Sequence, residues 1–175
     1  MQEIEPEKSR LTSLFNYVRK KVDDPRLKDS KLRVIGLSQK ARVRSGDKLA
    51  GRVTMDYLEG TKIVVLNAAK TREMSDAGVV GLIAHELAHF LLKKSGDFPP
   101  KEARDPYYVL KKSEEGADKM ATEWGFGIEV KVARAEIEGF ENSELTLNKY
   151  LSLVKNWSLS KGFKGTHNTD ESFKD

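Results

Sequence analysis

Two histidines and a glutamate lie within the otherwise apolar stretch VVGLIAHELAHFLLKK, residues 79–94. Imidazole and carboxylate groups are costly to bury unless a partner satisfies them. In a helix, His85 and His89 are four residues apart, so both rings lie on one face, one turn apart. Glu86 lies beside this pair. This is the H-E-x-x-H pattern, in which the histidines bind zinc and the glutamate acts as a general base.

A third ligand is available in the segment KKSEEGADKMATEWGFG, which begins at Lys111. Glu114 and Asp118 are four residues apart there, on a helix face that is otherwise apolar or small. With Glu114 on the metal, Asp118 would lie one turn along and accept the free N–H of a ligand histidine. The sequence therefore predicts one zinc ion per chain, bound by His85, His89 and Glu114.

A structural role is the alternative for the two histidines, which would then form hydrogen bonds with backbone or carboxylate groups inside the core. Five-residue motifs recur by chance, so this alternative carries weight. The position of the motif on a predicted helix that follows a strand-rich region favours the metal site. The chain contains no cysteine. A metal must therefore be bound by His, Asp or Glu, and a cysteine nucleophile is excluded.

The segments before the motif predict the first elements that position it. Apolar residues at helical spacing predict a helix over residues 8–22. β-Branched and aromatic residues predict three strands, at 31–37, 51–58 and 62–67. The short Glu59-Gly60-Thr61 connection fits a hairpin between the last two strands. The polar segment 38–48 is predicted to be a loop.

The helices that carry the candidate ligands have recognisable ends. The motif helix is predicted from the N-cap Ser75 to Ser95-Gly96, with two prolines following shortly after. A second helix is predicted from Asp105-Pro106 to about Gly125. Residues 128–140 are ambiguous between helix and strand, and a short amphipathic helix is predicted over 143–153. These elements predict an α+β fold in one domain, residues 1–157, followed by a flexible polar tail, residues 158–175.

Charge and hydropathy weigh against several classes of protein. The formal net charge of +4 is mild, and the lysine pairs are scattered without interleaved aromatic residues. No nucleic-acid partner is therefore expected. The chain has no apolar run near the ~20 residues that span a bilayer. Its first residues, MQEIEPEKSRL, do not have the pattern of a secretory signal. A cytoplasmic protein without a membrane partner is the expectation.

The full pattern distinguishes between classes of zinc peptidase. A metzincin needs a glycine and a third histidine at positions where this chain has Leu92 and Ser95, and the inverted H-x-x-E-H order is absent. HELAH followed by EEGAD, with Glu114 25 residues beyond His89, resembles the gluzincin metallopeptidases. Within that group, the chain is most similar to the soluble ImmA/IrrE-like metallopeptidases.

This resemblance implies a zincin-like arrangement of the α+β fold. A small three- to four-stranded mixed sheet with an edge strand would pack on the motif helix and on the glutamate-bearing helix. A peptide or protein substrate would bind by adding a strand to that edge. The segment KIVVLN, residues 62–67, is the candidate edge. The implied roles are zinc binding by His85, His89 and Glu114, general base catalysis by Glu86, and support of a ligand histidine by Asp118.

The expected activity is that of a zinc metalloendopeptidase in which Glu86 activates a zinc-bound water. Tyr107 and Tyr108 are the candidates to stabilise the oxyanion of the tetrahedral intermediate, although packing at a helix start explains them equally well. The alternative function is that of a regulatory or interaction protein of zincin fold with a structural or vestigial zinc site. An open coordination position in a cleft would favour the enzyme.

Overall fold

The structure is a computed structural model that describes residues 4–36, 50–56, 60–95 and 106–161. Its fold is α+β, as the sequence predicts. In chain order the elements are helix α1 (Ile4–Val22), strands β1 (Lys31–Ile35), β2 (Gly51–Asp56) and β3 (Thr61–Asn67), and helices α2 (Ala68–Thr71), α3 (Asp76–Ser95), α4 (Pro106–Ala121), α5 (Gly127–Glu138) and α6 (Leu147–Lys161). Among the described residues, no helix has both the length and the apolar character needed to cross a membrane.

The three strands form one mixed sheet in the order β1-β3-β2. β3 is parallel to β1, with Ile63 opposite Lys31, and antiparallel to β2, with Leu66 opposite Gly51. The prediction that KIVVLN forms an edge strand is therefore wrong. All residues from Ile63 to Asn67 are buried, and such a continuous apolar run is typical of a strand covered on both faces. Among the described strands, β1 and β2 are the ones at the edges.

The hairpin prediction is confirmed, because β2 and β3 are consecutive antiparallel strands with Asp56 opposite Thr61. Gly60 in the turn has a φ of +67°, which is accessible to glycine at little cost. β1 ends at Ile35, earlier than predicted, and β2 is described as far as Asp56. The predicted loop, residues 38–48, lies outside the described residues, as do residues 57–59.

Helix α3 lies at the centre of the core. Every residue from Val79 to Leu92 is buried except His85, which is partly buried. The surrounding apolar side chains come from α1, β3, α5 and α6. The Ser75 hydroxyl accepts a hydrogen bond from the Gly78 N–H at 3.1 Å, which confirms the predicted N-cap. Because α3 is enclosed in this way, polar groups on it must find partners on neighbouring helices.

The segment after α4 shows why residues 128–140 were ambiguous. A π-helical turn, Thr122–Phe126, follows α4 and contains Gly125 at a φ of +96°. This positive φ ends the α-helix near the predicted position, because glycine adopts it readily. The chain then forms α5, which ends at Glu138. The β-branched residues Ile128, Val130 and Val132 resemble a strand locally, but tertiary packing makes this segment a helix.

Helix α6 starts later and runs further than the predicted 143–153. Ser143 has an extended backbone, and Thr146 caps the helix instead by accepting a hydrogen bond from the Lys149 N–H at 3.3 Å. The helix continues to Lys161, so the first residues of the predicted flexible tail are helical. Residues 162–175 lie outside the described residues.

Two side-chain hydrogen bonds connect α6 to α5. The Trp157 indole N–H donates to Glu129 Oε1 at 2.9 Å, and the Tyr150 hydroxyl donates to Glu136 Oε2 at 2.5 Å. Glu136 also accepts from the Ser75 hydroxyl, at the start of α3. These bonds satisfy carboxylates that would be costly to bury alone. They hold α3, α5 and α6 in one relative position.

The closest approach of α3 to α5 occurs at Gly81. A Cβ added there would lie 2.0 Å from the backbone oxygen of Glu129. Real Cβ atoms do not come so near to a backbone oxygen, so only glycine fits without separation of the two helices. The α3–α5 packing therefore depends on the absence of one side chain.

Gly81→Ala should lower the free energy of unfolding by about 2–3 kcal/mol, because the added methyl group overpacks the contact with the α5 backbone. Gly116→Ala in α4 is the matched control. Its Cβ would meet only the end of the Leu92 side chain, at 3.3 Å, and its stability should change by less than about 1 kcal/mol. Urea denaturation of both variants measures the effect. Equal stability of the Gly81→Ala variant and the wild type would contradict the close packing.

Candidate metal centre

The three predicted ligands come together where α3 faces α4. His85 Nε2 lies 2.9 Å from Glu114 Oε2, and His89 Nε2 lies 3.2 Å from Glu114 Oε1. The two Nε2 atoms are 3.0 Å apart. One ligand atom from each residue lies within 4.8 Å of the others. These three residues, which we call the metal centre, have the separations that a common ion would require.

The contacts of the two histidine Nδ1 atoms are of the kind that orient histidine ligands of a metal. His85 Nδ1 lies 2.7 Å from Asp118 Oδ1, and His89 Nδ1 lies 3.3 Å from the Ser113 hydroxyl. If each Nδ1–H donates to that oxygen, each Nε2 lone pair points into the metal centre. Two lone pairs 3.0 Å apart repel unless a proton or a cation lies between them. Tetrahedral zinc holds two ligand nitrogens roughly 3.3 Å apart, so the rings would need to move little.

Helix α5 contributes a residue that sequence reasoning missed. The Arg134 guanidinium donates to Asp118 Oδ2 from Nε at 2.7 Å and again from a terminal nitrogen, and its other terminal nitrogen donates to Glu138 at 2.7 Å. Asp118 is therefore held on one side by His85 and on the other by Arg134. The only sequence signal was the Arg134–Glu138 spacing, which is typical of any exposed helix face. Ser113 gave no signal either.

The hydrogen bonds of the His85 ring raise its pKa. Burial lowers the pKa of His85, but its hydrogen bonds to Asp118 and Glu114 outweigh burial and raise that pKa to about 10. Hydrogen bonds from His85 and His89 hold the pKa of Glu114 well below its usual range. Burial raises the pKa of Asp118, yet its bonds to His85 and Arg134 lower it overall. These contacts favour an imidazolium at His85 between two carboxylates, an arrangement in which a metal cation could take the place of the proton.

A cavity of about 350 Å³ opens beside the metal centre, and we call it the site cavity. Gly51, the first residue of β2, and the preceding residue Ala50 line it. The candidate base Glu86 also lines it, although its side chain is largely buried. The rest of the wall combines polar side chains with glycine and apolar residues: His85, Glu114, Asp118, Arg134, Glu138, Gly81, Leu82, Val130, Ala133 and Ile137. A ligand in the site cavity would therefore touch both the polar centre and an apolar surface.

His85, His89, Glu114 and Asp118 are thus in contact with one another in the structure, and Glu86 lines the neighbouring site cavity. The roles that the sequence predicts for them stay predictions. Tyr107 and Tyr108 lie in the first turn of α4, but their side chains lie outside the described part of the chain, so their oxyanion role stays a prediction. Comparisons of the chain with models of protein families, with curated proteins and with solved structures find no match. The chemistry of the site therefore has to be judged from its own geometry.

In chelator-treated protein, the His85 ring should stay protonated well above pH 8 in an NMR titration. Its pKa lies above the unfolded value of about 6.5, so its contribution to stability is complete below pH 6.5. That contribution is lost as the pH rises towards about 10.

Asp118→Asn removes one carboxylate partner of His85 and should move the midpoint of the His85 titration towards 6.5. Arg134→Met should leave both carboxylates in contact with His85 and change the midpoint less. Titration of wild-type His85 near pH 6.5 would contradict the described hydrogen bonding.

Proposed function

We propose that the chain is a zinc-dependent metallopeptidase of zincin-like fold. The observation that carries this proposal is the convergence of His85, His89 and Glu114 beside a cavity that is lined by His85, Glu114 and Glu86. Two imidazoles and a carboxylate are the ligand set of several catalytic zinc sites. Bound zinc would lower the pKa of a coordinated water towards ~7 and polarise a substrate carbonyl.

Residues of the chain would perform the remaining steps. The Glu86 carboxylate takes a proton from the attacking water and later delivers it to the leaving amine nitrogen. Asp118 holds His85 by its Nδ1–H, and Arg134 fixes Asp118 in turn. These contacts would orient the His85 ring so that its Nε2 atom could bind the metal. The apolar side of the site cavity would receive a substrate side chain and exclude water from the reacting carbonyl.

The openness of the site supports an enzyme over the regulatory alternative. A structural zinc is normally enclosed by four protein ligands, whereas a catalytic zinc keeps one position for water or substrate. The described residues supply three ligands, and the third, Glu114, has a side chain that is 41% exposed. The site cavity gives a substrate access to the remaining position.

Strand β2 is the proposed substrate edge, in place of β3. The Asn67 N–H donates to the Ala50 oxygen at 2.9 Å, so the backbone groups of Ala50 point towards β3. Because these groups alternate along an antiparallel strand, those of Gly51, Val53 and Met55 point away from β3. Gly51 also lines the site cavity. An extended peptide paired with this edge would enter the site cavity at Gly51.

Glu86→Gln should keep the zinc and lose about 10²–10⁴-fold in peptide hydrolysis, because the amide cannot accept the proton from water. Glu115→Gln is the matched control, since Glu115 is exposed on α4 beside a ligand and pairs only weakly with Lys112. It should leave both properties unchanged. Elemental analysis and cleavage of a fluorogenic peptide library measure them. Full activity in the Glu86→Gln variant would rule out its role as base.

Substrate binding along β2 should show a two-residue period. The test uses a series of peptides, each with one backbone N-methyl group at a different position. Along this series, methylation at alternate positions should weaken binding to the inactive Glu86→Gln variant about tenfold. Those residues would donate to the outward groups of β2, and the residues between them would not. Fluorescence anisotropy measures the affinities. A uniform loss at all positions, or no loss at any, would contradict strand addition.

A further inference from the structure

The apolar part of the site cavity comes mainly from one face of α5. Val130, Ala133 and Ile137 all line the site cavity, and their spacing of three and four residues places them in one stripe along the helix. Leu82 of α3 lines the same cavity, and we call these four residues the apolar wall. Leu82, Val130 and Ala133 belong to the hydrophobic core and are each 6% exposed. Packing therefore fixes the inner part of the apolar wall in place.

Ile137 forms the outer part of the apolar wall. Its side chain is 49% exposed, and α5 ends one residue later, at Glu138. The apolar stripe of α5 thus continues beyond the core to the accessible side of the site cavity. Ile128, near the start of the same helix, is similarly exposed at 52% but is not among the described lining residues. The two isoleucines therefore differ in their contact with the site cavity.

The charged groups around the site cavity already contact one another. The Arg134 guanidinium donates from all three of its nitrogens, to Asp118 and to Glu138. Glu114 contacts both candidate ligand histidines, at 2.9 and 3.2 Å. In the described lining, four carboxylates accompany one guanidinium, so an acidic substrate side chain would meet an excess of negative charge. The apolar wall is the part of the lining that a substrate can cover without breaking these ion pairs.

Gly51 relates the apolar wall to the proposed substrate strand. A Cβ built on Gly51 would lie 3.2 Å from Leu82 Cδ1, so that face of β2 points towards the apolar wall. Side chains that are directly opposite in paired strands lie on the same face of the sheet. A substrate residue paired opposite Gly51 would therefore direct its side chain towards Leu82. That residue would lie close to the metal centre, because Leu82 and His85 are one turn apart on α3.

We propose that the apolar wall is the subsite for one bulky apolar side chain of the substrate, leucine or phenylalanine, next to the cleaved bond. Ile137 is the specificity-determining residue of this subsite, because it contacts the outer part of a large side chain, which a small side chain lacks. The volume of about 350 Å³ is at the lower end of the range for small-molecule pockets, which suits one side chain with its backbone. This inference rests on the proposed peptidase function and on β2 as the substrate edge.

Blocked peptides of the form acetyl-Gly-Gly-X-Gly-Gly-amide, with Ala, Leu, Phe, Lys or Glu at X, are the test ligands. They are titrated into the full chain carrying Glu86→Gln, purified without chelator, and the NMR shifts of backbone amides at residues 82 and 130–137 report the affinity. Leu and Phe should bind at least about tenfold more tightly than Ala, because the apolar wall removes their side chains from water. Lys and Glu should bind no more tightly than Ala.

The matched variants are Ile137→Ala and Ile128→Ala in the same background. Both remove the same atoms from a half-exposed isoleucine of α5. Ile137→Ala should lower the ratio of the Leu affinity to the Ala affinity by at least about threefold, since the outer contact with the large side chain is lost. Ile128→Ala should leave that ratio unchanged.

Equal affinities for Ala, Leu and Phe would overturn the proposal, as would tighter binding of Lys or Glu, or the absence of binding by all the peptides. An equal effect of both isoleucine variants, or no effect of Ile137→Ala, would contradict the role of Ile137. Hydrolysis by the wild-type chain is measured separately. A preference for Leu and Phe without hydrolysis would contradict the peptidase function and leave the apolar subsite in place. Hydrolysis without that preference would contradict the subsite alone.

Discussion

The arrangement of the site depends on one requirement, that the His85 imidazole on the buried helix α3 must have charged partners. α3 is enclosed by apolar side chains, and the polar side chain that it places next to the His85 ring is a second imidazole, His89. α4 therefore supplies Asp118 and Glu114, and α5 supplies Arg134 to hold Asp118. Removing one member of this partly buried series would leave another charge without a partner. The positions of three helices are thus linked to the charge of one ring.

The part of this arrangement that could be predicted from sequence is the part that local rules determine. A period of four residues placed His85 and His89 on one face of α3, and a capping serine located the start of that helix. The same period related Glu114 to Asp118 on α4. Position in a sheet is not local, and β3 was wrongly placed at an edge. Its unbroken apolar run indicated burial on both faces, which is a property of a central strand.

Contacts between elements distant in sequence explain what the sequence did not reveal. Residues 128–140 carry β-branched side chains that suit a strand or a helix, so the position of Arg134 could not be assigned before α5 was known. Ser113 reaches His89 only because α4 packs against α3. The parallel pairing of β1 with β3, which brings Lys31 near Lys62, is likewise a contact between distant segments that no local pattern predicts.

The hydrogen bonds between α5 and α6 bear on the order in which the chain can fold during its synthesis. Glu129 and Glu136 of α5 obtain their partners Trp157 and Tyr150 only when the last described helix has formed. Arg134 lies between these two carboxylates in sequence, so its position depends on the same hydrogen bonds. Until α6 has emerged from the ribosome, a nascent chain would contain the three candidate ligands and their partner Asp118, but α5, which positions Arg134, would lack these two hydrogen bonds. The full set of contacts around the candidate metal centre would then form only after α6 has been synthesised.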